Sequence, residues 1–319
     1  MKIYRNENTD PYFNLASEQY LLDTEDEPVF MLWRNERSVI IGRNQNAYAE
    51  TDRRFVDDND IAVVRRLTGG GAVFHDLGNV NFTFIIPKSD CPSLDFSRFC
   101  TPVADALKKL GVPAEVSGRN DLTVNGRKFS GNAQCVYNGK VMHHGTLLFS
   151  ADVSYMSGAL HVDPDKMKSN GVKSVRSRVC NLAEFLPSMT VLQLKEYLQN
   201  SFEGERVRFS DEQIKGIEKL KEEKYATWEW NYGVSKAYGK SVKRRFPFGV
   251  VELSYDSDHG VLTDVSIRGD YFGAAPVQEL EKRLTGTRLT RSELLAALCD
   301  AGEYVHGATA SDMADLFEI

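Results

Sequence analysis

Two arginines and three consecutive glycines stand together in the stretch RRLTGGGAVFHDLGNVNFTFII, residues 65–86. The glycine triplet 69–71 leaves its peptide N–H groups accessible, because no Cβ stands between them and a ligand. Arrays of this kind bind phosphate or carboxylate oxygens, and a guanidinium beside them suits a phosphate. On a strand, Arg65 and Arg66 point to opposite faces, so we expect one to face the loop and the other to face solvent. The pattern indicates an anion-binding loop.

Two well-known phosphate motifs do not describe this loop. It lacks the Gly-Lys-Ser/Thr ending of a P-loop. The run that follows it alternates like a strand, whereas the dinucleotide-binding fingerprint opens a helix. A flexible turn between two strands is the alternative interpretation.

A second candidate region is the segment NDLTVNGRKFSGNAQCVYNGKVMHHGTLLFS, residues 120–150. Its two Asn-Gly pairs predict two-residue turns, and hence three antiparallel strands. If neither hairpin contains a bulge, the register places a polar set on one face of the sheet: Asp121, Thr123, Lys128, Ser130, Asn132 and His143. The other face then carries Phe129, Ala133, Cys135 and Leu148. A cation beside a carboxylate among small residues leaves room for a ligand, and a solvated ion pair is the alternative.

A basic segment, DPDKMKSNGVKSVRSRVCN at 163–181, carries five cations against two carboxylates and has little periodicity. Its Ser, Gly and Asn residues favour a loop. Such a loop is either solvated or able to close over a negatively charged ligand.

The elements that position these regions follow from hydrophobic spacing and cap residues. Helices are predicted at 11–22, with Asp10 as N-cap and Pro11 at the first helical position, and at 96–110, 190–203 and 211–226. Strands are predicted at 29–34, 38–43, 61–67 and 80–86. The last 75 or so residues suggest a strand-strand-helix-helix order. We therefore expect an α+β protein with two domains, 1–240 and 241–319.

Composition restricts the class of protein. The net charge is −6 and the pI about 5.6, which argues against nucleic acid as a partner, although not against a local phosphate site. No apolar run reaches the length of about 18 residues that a membrane span needs, and the N-terminus has no apolar signal region. The five cysteines are odd in number, far apart and without a CxxC pair. We expect a cytoplasmic protein without a zinc site or a membrane partner.

Together these stretches make the chain resemble the lipoate–protein ligase A family, in the superfamily that it shares with biotin ligases. The resemblance covers nearly the whole chain and rests on RRLTGGGAVFHDLGN (65–79), GRNDLTVNGRKFSG (118–131), HHGTLLFSADV (143–153), SVRSRVCNL (174–182) and WEWNYG (228–233). It implies a biotin/lipoate ligase-like catalytic domain with a mixed, largely antiparallel sheet, and a small α+β C-terminal domain. The implied activity is ATP-dependent conversion of lipoate to lipoyl-AMP, followed by transfer of the lipoyl group to a lysine of a carrier domain. The implied carriers are the lipoyl domains of 2-oxoacid dehydrogenases and the glycine-cleavage carrier protein.

The resemblance also implies roles for individual residues. Lys128 matches the lysine that contacts both the carbonyl and the phosphate oxygens of the adenylate, and it is the expected catalytic residue. ATP and adenylate contacts are implied at Arg66, Gly71, Ala72, Val73, Phe74, Asp121 and Lys128, with Phe74 where the adenine is held and Asp121 as a contact for Mg²⁺. Lipoate contacts are implied at Gly69, Gly70, Gly71, Lys128 and His143. Lys173 and Arg176 fall in the adenylate-binding loop.

Departures from the family pattern are small, and three competing functions remain open. Leu67 and Thr68 stand where serines are frequent, and the Gly-Arg-Gly-Arg-x-Gly signature of biotin ligases is absent. A cysteine-dependent octanoyltransferase would use Cys135, which the predicted register directs into the core, where a thiol is usually inert. A transferase that accepts only preformed lipoyl-AMP is the second competing function, and a binding paralogue without catalysis is the third.

Overall fold

The computed structural model of the chain describes residues 1–118, 120–160, 179–233 and 238–317. In the larger, N-terminal part, strands β1 to β11 are Lys2–Arg5, Val29–Trp33, Ser38–Ile41, Ala62–Arg65, Val73–His75, Asn79–Pro87, Ala114–Ser117, Asp121–Val124, Arg127–Tyr137, Lys140–Leu148 and Glu205–Val207. Helices α1 to α8 are Pro11–Thr24, Ala47–Glu50, Arg53–Asp58, Ser97–Lys109, Val153–Ala159, Val191–Asn200, Asp211–Leu220 and Trp228–Asn231. Within the described ranges, no helix combines the length and the apolar character that crossing a membrane requires.

The C-terminal part contains strands and helices with a core of their own. Strands β12 to β14 are Lys240–Phe246, Gly249–Asp258 and Val261–Gly269, and helices α9 to α12 are Val277–Leu284, Arg291–Ala297, Ala301–Tyr304 and Ala310–Ala314. The strands form one antiparallel sheet, so the expected pair of strands is a set of three. The helices cover one face of this sheet and enclose a buried apolar cluster.

Helix α1 begins as the sequence predicts. Asp10 is the N-cap, and its carboxylate accepts hydrogen bonds from the N–H groups of Tyr12 (2.8 Å) and Phe13 (3.4 Å). Pro11 occupies the first helical position, where its missing N–H is not needed. The helix buries Leu15 and other apolar residues against the central sheet.

The central sheet has eight strands in the order β11-β1-β2-β6-β10-β9-β8-β7. Strands β11, β1 and β2 run parallel, and the remaining pairs are antiparallel. This confirms the predicted α+β fold with a mixed, largely antiparallel sheet. Helices α4 and α6 cover one face through a core that includes Phe99 and Leu194, while α1 and α7 cover the other through Leu21 and Ile217. We call these the α4 face and the α1 face.

A smaller sheet, in the order β4-β3-β5, carries the glycine loop between β4 and β5. Its strands bury residues on both sides: Ile40 and Val64 belong to the core that includes α1, whereas Val39 and Val63 belong to a separate cluster. The loop therefore starts and ends on strands that are packed on two faces, which fixes its position.

The hairpin register departs from the prediction at one residue. Thr123 pairs with Lys128 as expected, but Leu122 pairs with Ser130, so Phe129 is an extra residue in a β-bulge. The Phe129 ring is fully buried in the core of the α4 face, and this burial favours the bulge. Beyond a bulge every side chain changes face.

The predicted faces of several hairpin residues are therefore wrong. Ser130 and His143 were expected to share a face with Lys128. They lie instead on the α4 face, where Ser130 pairs with Leu147 and Gln134 pairs with His143. Three residues that were expected to share a face with Phe129 lie instead on the α1 face: Ala133, Cys135 and Leu148. The second hairpin keeps the predicted pairs, including Asn132 with Gly145.

Candidate active site

A cavity of about 360 Å³ lies between the glycine loop and the hairpin on the α1 face of the central sheet. The loop side contributes Arg66, Gly70, Gly71, Ala72 and Val73. The hairpin side contributes Asp121, Lys128, Gly131, His144 and Thr146. The two regions that the sequence singled out therefore form opposite walls of one cavity.

Arg66 shapes the glycine loop from inside. Its guanidinium donates hydrogen bonds to Thr68 Oγ1 (2.9 Å) and to the carbonyls of Ile40 (3.0 Å), Gly69 (2.6 Å) and Gly71 (2.8 Å). Burial lowers the pKa of Arg66 to about 10, so it remains a cation at neutral pH. The loop carbonyls turn towards this charge, and a Cβ at Gly71 would meet nothing within 4 Å. The open side of the loop at Gly71 faces the cavity.

The C-terminal domain contacts the same loop. Gly70 has a φ of 88°, in the region that favours glycine, and its N–H donates to the Tyr271 carbonyl (3.1 Å). A Cβ at Gly69 would lie 2.2 Å from that carbonyl oxygen. Phe272 lines the cavity. The Gly70 N–H is therefore hydrogen-bonded to the C-terminal domain, whereas the sequence predicts an N–H that is accessible to a ligand.

Arg65 does not face solvent, and that expectation is wrong. Its side chain is buried and donates hydrogen bonds to the carbonyls of Gly42, Arg43, Gln45, Trp230 and Asn231. The turn after β3 and helix α8 supply these carbonyls, which replace the water molecules that would solvate a surface arginine. Arg65 holds the turn after β3 to helix α8.

Strand β5 divides the predicted ATP positions. Ala72 and Val73 line the cavity. The Phe74 side chain is buried on the other side, in a cluster with Val39 and about 6.4 Å from the Tyr155 ring. Phe74 is not among the residues that line the cavity; its backbone pairs with Val39, and its carbonyl accepts from Asn79 Nδ2.

Lys128 and Asp121, which the hairpin pattern places side by side, form an ion pair with 2.7 Å between Nζ and Oδ1. Both side chains remain partly exposed, by 40% and 34%, and both line the cavity. The ammonium lies over Gly131, where a Cβ would approach Nζ to 3.1 Å. The backbone carbonyl of Lys128 accepts from the N–H of Cys180 (2.9 Å). Lys173 and Arg176 lie outside the described residues.

His143 lies on the α4 face, away from the cavity. It is fully buried, its ring stacks on Phe99 and Phe82, and its Nδ1 is 3.0 Å from Gln134 Nε2. Burial and the nearby His144 hold its pKa well below the usual value. The structure therefore does not bring His143 together with the other predicted lipoate contacts, because adjacent residues on a strand point to opposite faces.

His144 occupies the cavity wall instead, and sequence reasoning missed it. Its Nε2 is 2.8 Å from Thr68 Oγ1, and its Nδ1 is 2.9 Å from the buried carboxylate of Glu18. Glu18 also accepts from Thr83 (2.6 Å), which accepts from Trp33 Nε1 (2.8 Å). The signal was present in the pair His143-His144, since one of two adjacent strand residues must face the cavity.

The side chains that line the cavity determine whether it could bind a magnesium ion. Within the described part of the chain, no group of three or more His, Cys, Asp or Glu side chains could hold a metal ion. Two partly exposed carboxylates line the cavity, Asp121 beside Lys128 and Asp270, which accepts a hydrogen bond from the Val250 N–H. One carboxylate together with substrate phosphates is a usual environment for Mg²⁺, so the residues present fit an ion that arrives with ATP.

Family models match both parts of the chain. The model described as the lipoyl protein ligase A/B catalytic domain matches residues 10–203, and the bacterial lipoate protein ligase C-terminus matches residues 235–317. The lipoate-protein ligase LplJ of Bacillus subtilis is 40% identical over 98% of each chain. The lipoate–protein ligase 1 of Staphylococcus aureus is 40% identical over 90% of each chain.

Solved structures agree with these matches. The Plasmodium falciparum LipL1, in complex with lipoate, has a TM-score of 0.78 at 26% identity and covers 99% of this chain and 97% of its own. A bipartite lipoate protein ligase of Thermoplasma acidophilum, described with its E2 lipoyl domain, has a TM-score of 0.65 at 27% identity, covering 75% of this chain and 98% of its own. A lipoate-protein ligase A bound with ATP has a TM-score of 0.62 at 27% identity, covering 73% and 99%. The chain belongs to the lipoate–protein ligase A/B family, as a lipoate–protein ligase with the family's bacterial C-terminal domain.

Proposed function

We propose that this enzyme activates lipoate with ATP to lipoyl-AMP in the cavity between the glycine loop and the hairpin, and then transfers the lipoyl group to a lysine of a lipoyl domain. The observation that carries this proposal is the position of the Lys128 ammonium in one cavity with the open side of the glycine loop at Gly71. Lys128 is the catalytic residue of the proposal.

The chemistry explains why a cation is needed there. The lipoate carboxylate must attack the α-phosphate of ATP and displace pyrophosphate, so two anions must come within bonding distance. A fixed ammonium offsets this repulsion and stabilises charge that develops on the phosphate and on the acyl oxygen. Asp121 holds the lysine in place at 2.7 Å and would hold Mg²⁺ that accompanies the phosphates. That ion, when bound, would add positive charge on the phosphate oxygens.

Different residues of the cavity wall would contact the acyl chain of lipoate and the phosphates of the nucleotide. Trp33 and Ile40 give the cavity an apolar and aromatic wall, which suits the acyl chain of lipoate. The phosphate and nucleotide side is formed by Gly71 and Ala72 of the loop and by Val73, the first residue of β5. Arg66 acts on this side by shaping the loop, because its guanidinium is occupied by loop carbonyls.

Transfer needs no enzyme nucleophile, since the mixed anhydride is already activated: the carrier lysine amine attacks the acyl carbon directly, forms the amide and releases AMP. The burial of Cys135 argues against an octanoyl transferase that works through a thioester, because it raises the pKa of this thiol to about 12. Cys135→Ser should therefore retain most of the ligation rate. A folded Cys135→Ser protein without transfer activity would favour the thioester mechanism.

The proposed partners are lipoyl domains of 2-oxoacid dehydrogenases and the glycine-cleavage carrier protein. The Thermoplasma acidophilum relative that is described with its E2 lipoyl domain supports the first of these. The cysteines of this chain are free thiols, which suits a reducing compartment, and we propose that the enzyme works in the cytoplasm.

The experiment is complete ligation in solution. The chain is incubated with lipoate, ATP, Mg²⁺ and an apo lipoyl domain, and the mass of the lipoyl domain is followed. The proposal expects one lipoyl group on one lysine, only when both lipoate and ATP are present. Modification that proceeds equally without ATP, or none at all with an acceptor that another ligase modifies, would contradict it.

A further inference from the structure

A line of buried amide side chains runs from the first strand to the cavity. Asn6 Nδ2 donates to Asn14 Oδ1 (2.8 Å), Asn14 Nδ2 donates to Asn35 Oδ1 (2.8 Å), and Asn35 Nδ2 lies 3.1 Å from His75 Nδ1. His75 Nε2 lies 2.8 Å from Thr146 Oγ1. Asn6, Asn14, Asn35 and His75 are each at most 3% exposed. We call these four residues the asparagine line.

Hydrogen bonds to backbone groups determine which way the side-chain amides of the asparagine line are oriented. Asn6 Oδ1 accepts from the N–H of Asn8 (3.0 Å), so the Asn6 NH₂ group must face Asn14. Asn14 Nδ2 also donates to the carbonyls of Asn8 (3.0 Å) and Arg34 (2.9 Å), so the Asn14 amide cannot be reversed. The oxygen of Asn35 must then face Asn14, and its NH₂ group must face His75.

This direction determines which nitrogen of His75 carries the proton. Because Asn35 donates to Nδ1, that nitrogen is an acceptor, and the proton of the neutral ring lies on Nε2. Burial, with the nearby His144 and Arg66, lowers the pKa of His75 to about 3, so the ring stays neutral at working pH. His75 Nε2–H therefore donates to Thr146 Oγ1.

Thr146 consequently has its own hydroxyl proton free for another acceptor. Among the described residues, its Oγ1 has His75 as its hydrogen-bond partner, and Thr146 lines the cavity. It pairs across strands β9 and β10 with Gly131, the residue over which the Lys128 ammonium lies. The hydroxyl and the ammonium thus stand beside each other on one face of the sheet.

We propose that the Thr146 hydroxyl donates a hydrogen bond to the acyl oxygen of the substrate, first in the carboxylate and then in the acyl adenylate, and that His75 is the positioning residue that directs this donor. The inference rests on the proposed function, since it assigns a contact within the same site. Lys128 supplies charge to that oxygen, and Thr146 supplies a directed hydrogen bond from the other side of Gly131. The direction of the donor follows from the two backbone-bound amides of Asn6 and Asn14.

The first test removes the hydroxyl at constant shape. Thr146→Val should lower kcat/KM for lipoate-dependent exchange of pyrophosphate into ATP by roughly tenfold to a hundredfold, the usual cost of one directed donor. Thr146→Ser keeps the donor and should stay within about threefold of the wild type. Wild-type exchange is measured first: its absence would overturn the proposed function. Wild-type exchange together with an unimpaired Thr146→Val enzyme would overturn only the inference.

A double-mutant cycle separates positioning from mere structure. Asn35→Leu removes the donor to His75 Nδ1, while Asn14 keeps both of its backbone acceptors. It should lower kcat severalfold with Thr146 present and have no further effect in the Thr146→Val background, because the two changes act through one hydroxyl. Losses that multiply would contradict the inference. Should either variant fail to fold, ¹⁵N NMR of the wild type decides: we expect His75 protonated on Nε2, and a ring protonated on Nδ1 would overturn it.

Discussion

His143 and His144 are neighbours in the chain and lie in different environments. His143 is on the α4 face, stacked on Phe99 and Phe82, and no part of it lines the cavity. His144 is on the α1 face, between the carboxylate of Glu18 and the hydroxyl of Thr68. The first histidine is part of a core, and the second connects a buried carboxylate to the glycine loop.

The difference shows that residue type alone does not identify a site residue. Both histidines are at most 8% exposed, so burial does not distinguish them either. What distinguishes them is the chain of hydrogen bonds on each face. On the α1 face these bonds lead from Glu18 through His144 and Thr68 to Arg66, which shapes the loop.

Lys128 gives the largest expected effect on the α1 face. Lys128→Ala should fold normally, because the side chain is 40% exposed and fills no core, but it should lose both adenylation and transfer from supplied lipoyl-AMP. The loss should be about a hundredfold to a thousandfold, or ~3 kcal/mol or more. Lys128→Arg should rescue poorly, since a planar guanidinium does not replace a point charge. Rates are measured in both half-reactions.

The neighbouring Arg127 is the matched control. Its guanidinium pairs with Glu184 at 2.8 Å on the exposed side of the hairpin, so Arg127→Ala should keep its rate within a few-fold. Near-normal exchange by Lys128→Ala, or an equal loss in Arg127→Ala, would contradict the assignment of Lys128.

A pair of substitutions tests the two histidines directly. His144→Phe leaves the Glu18 carboxylate buried without its histidine partner, so it should cost about 3–5 kcal/mol of unfolding free energy and most of the activity. His143→Phe places a ring among rings and should keep activity within a few-fold. Urea unfolding and ligation assays are run on both proteins, and the comparison fails if His143→Phe is the less active of the two.

Acid should destabilise the protein through the buried histidines. Burial lowers the pKa of His75 to about 3, below its usual 6.5, so the unfolded state binds this proton first. The stabilisation is complete above pH 6.5 and is lost as the pH falls from 6.5 towards 3. Each buried neutral histidine of this kind should lower the free energy of unfolding by about 1.4 kcal/mol for every unit by which the pH falls within this range. His75→Gln should reduce the slope of unfolding free energy against pH by about one proton, and an unchanged slope would count against a buried neutral His75.

Gly131 gives the smallest expected effect. A Cβ at this position would lie 3.1 Å from Lys128 Nζ and 3.2 Å from its Cε, so Gly131→Ala must shift the ammonium by a few tenths of an ångström. The lysine side chain is flexible, and we expect a threefold to tenfold loss of kcat with unchanged stability. Gly139→Ala is the control for glycine replacement, at a turn with open space; its φ of 73° should instead lower stability. A Gly131→Ala enzyme that is fully active would show that the ammonium is not held tightly.

Local rules predicted much of this structure. The cap at Asp10, the two Asn-Gly turns and the pairing of Asp121 with Lys128 depend on short-range geometry, and all three are present. The bulge at Phe129 depends on a core that comes from distant helices, so no local pattern indicated it. That one residue reversed the faces of Ser130 and Cys135.

Further differences have the same origin in distant contacts. Arg65 was expected at a surface, but carbonyls of Trp230 and Asn231, about 165 positions away, surround it. The engagement of Gly70 by Tyr271 likewise depends on how the C-terminal domain packs. The assignment of 1–240 and 241–319 as separate domains stays a prediction.

The most direct test of activation in this cavity is lipoate-dependent exchange of labelled pyrophosphate into ATP, measured without any carrier protein. We predict exchange that requires lipoate, falls by about a hundredfold to a thousandfold in Lys128→Ala and persists in Cys135→Ser, because the cavity on the α1 face activates the carboxylate by itself. Failure of the wild-type chain to exchange pyrophosphate, while it transfers the lipoyl group from supplied lipoyl-AMP, would contradict this and leave a transferase that cannot activate its substrate.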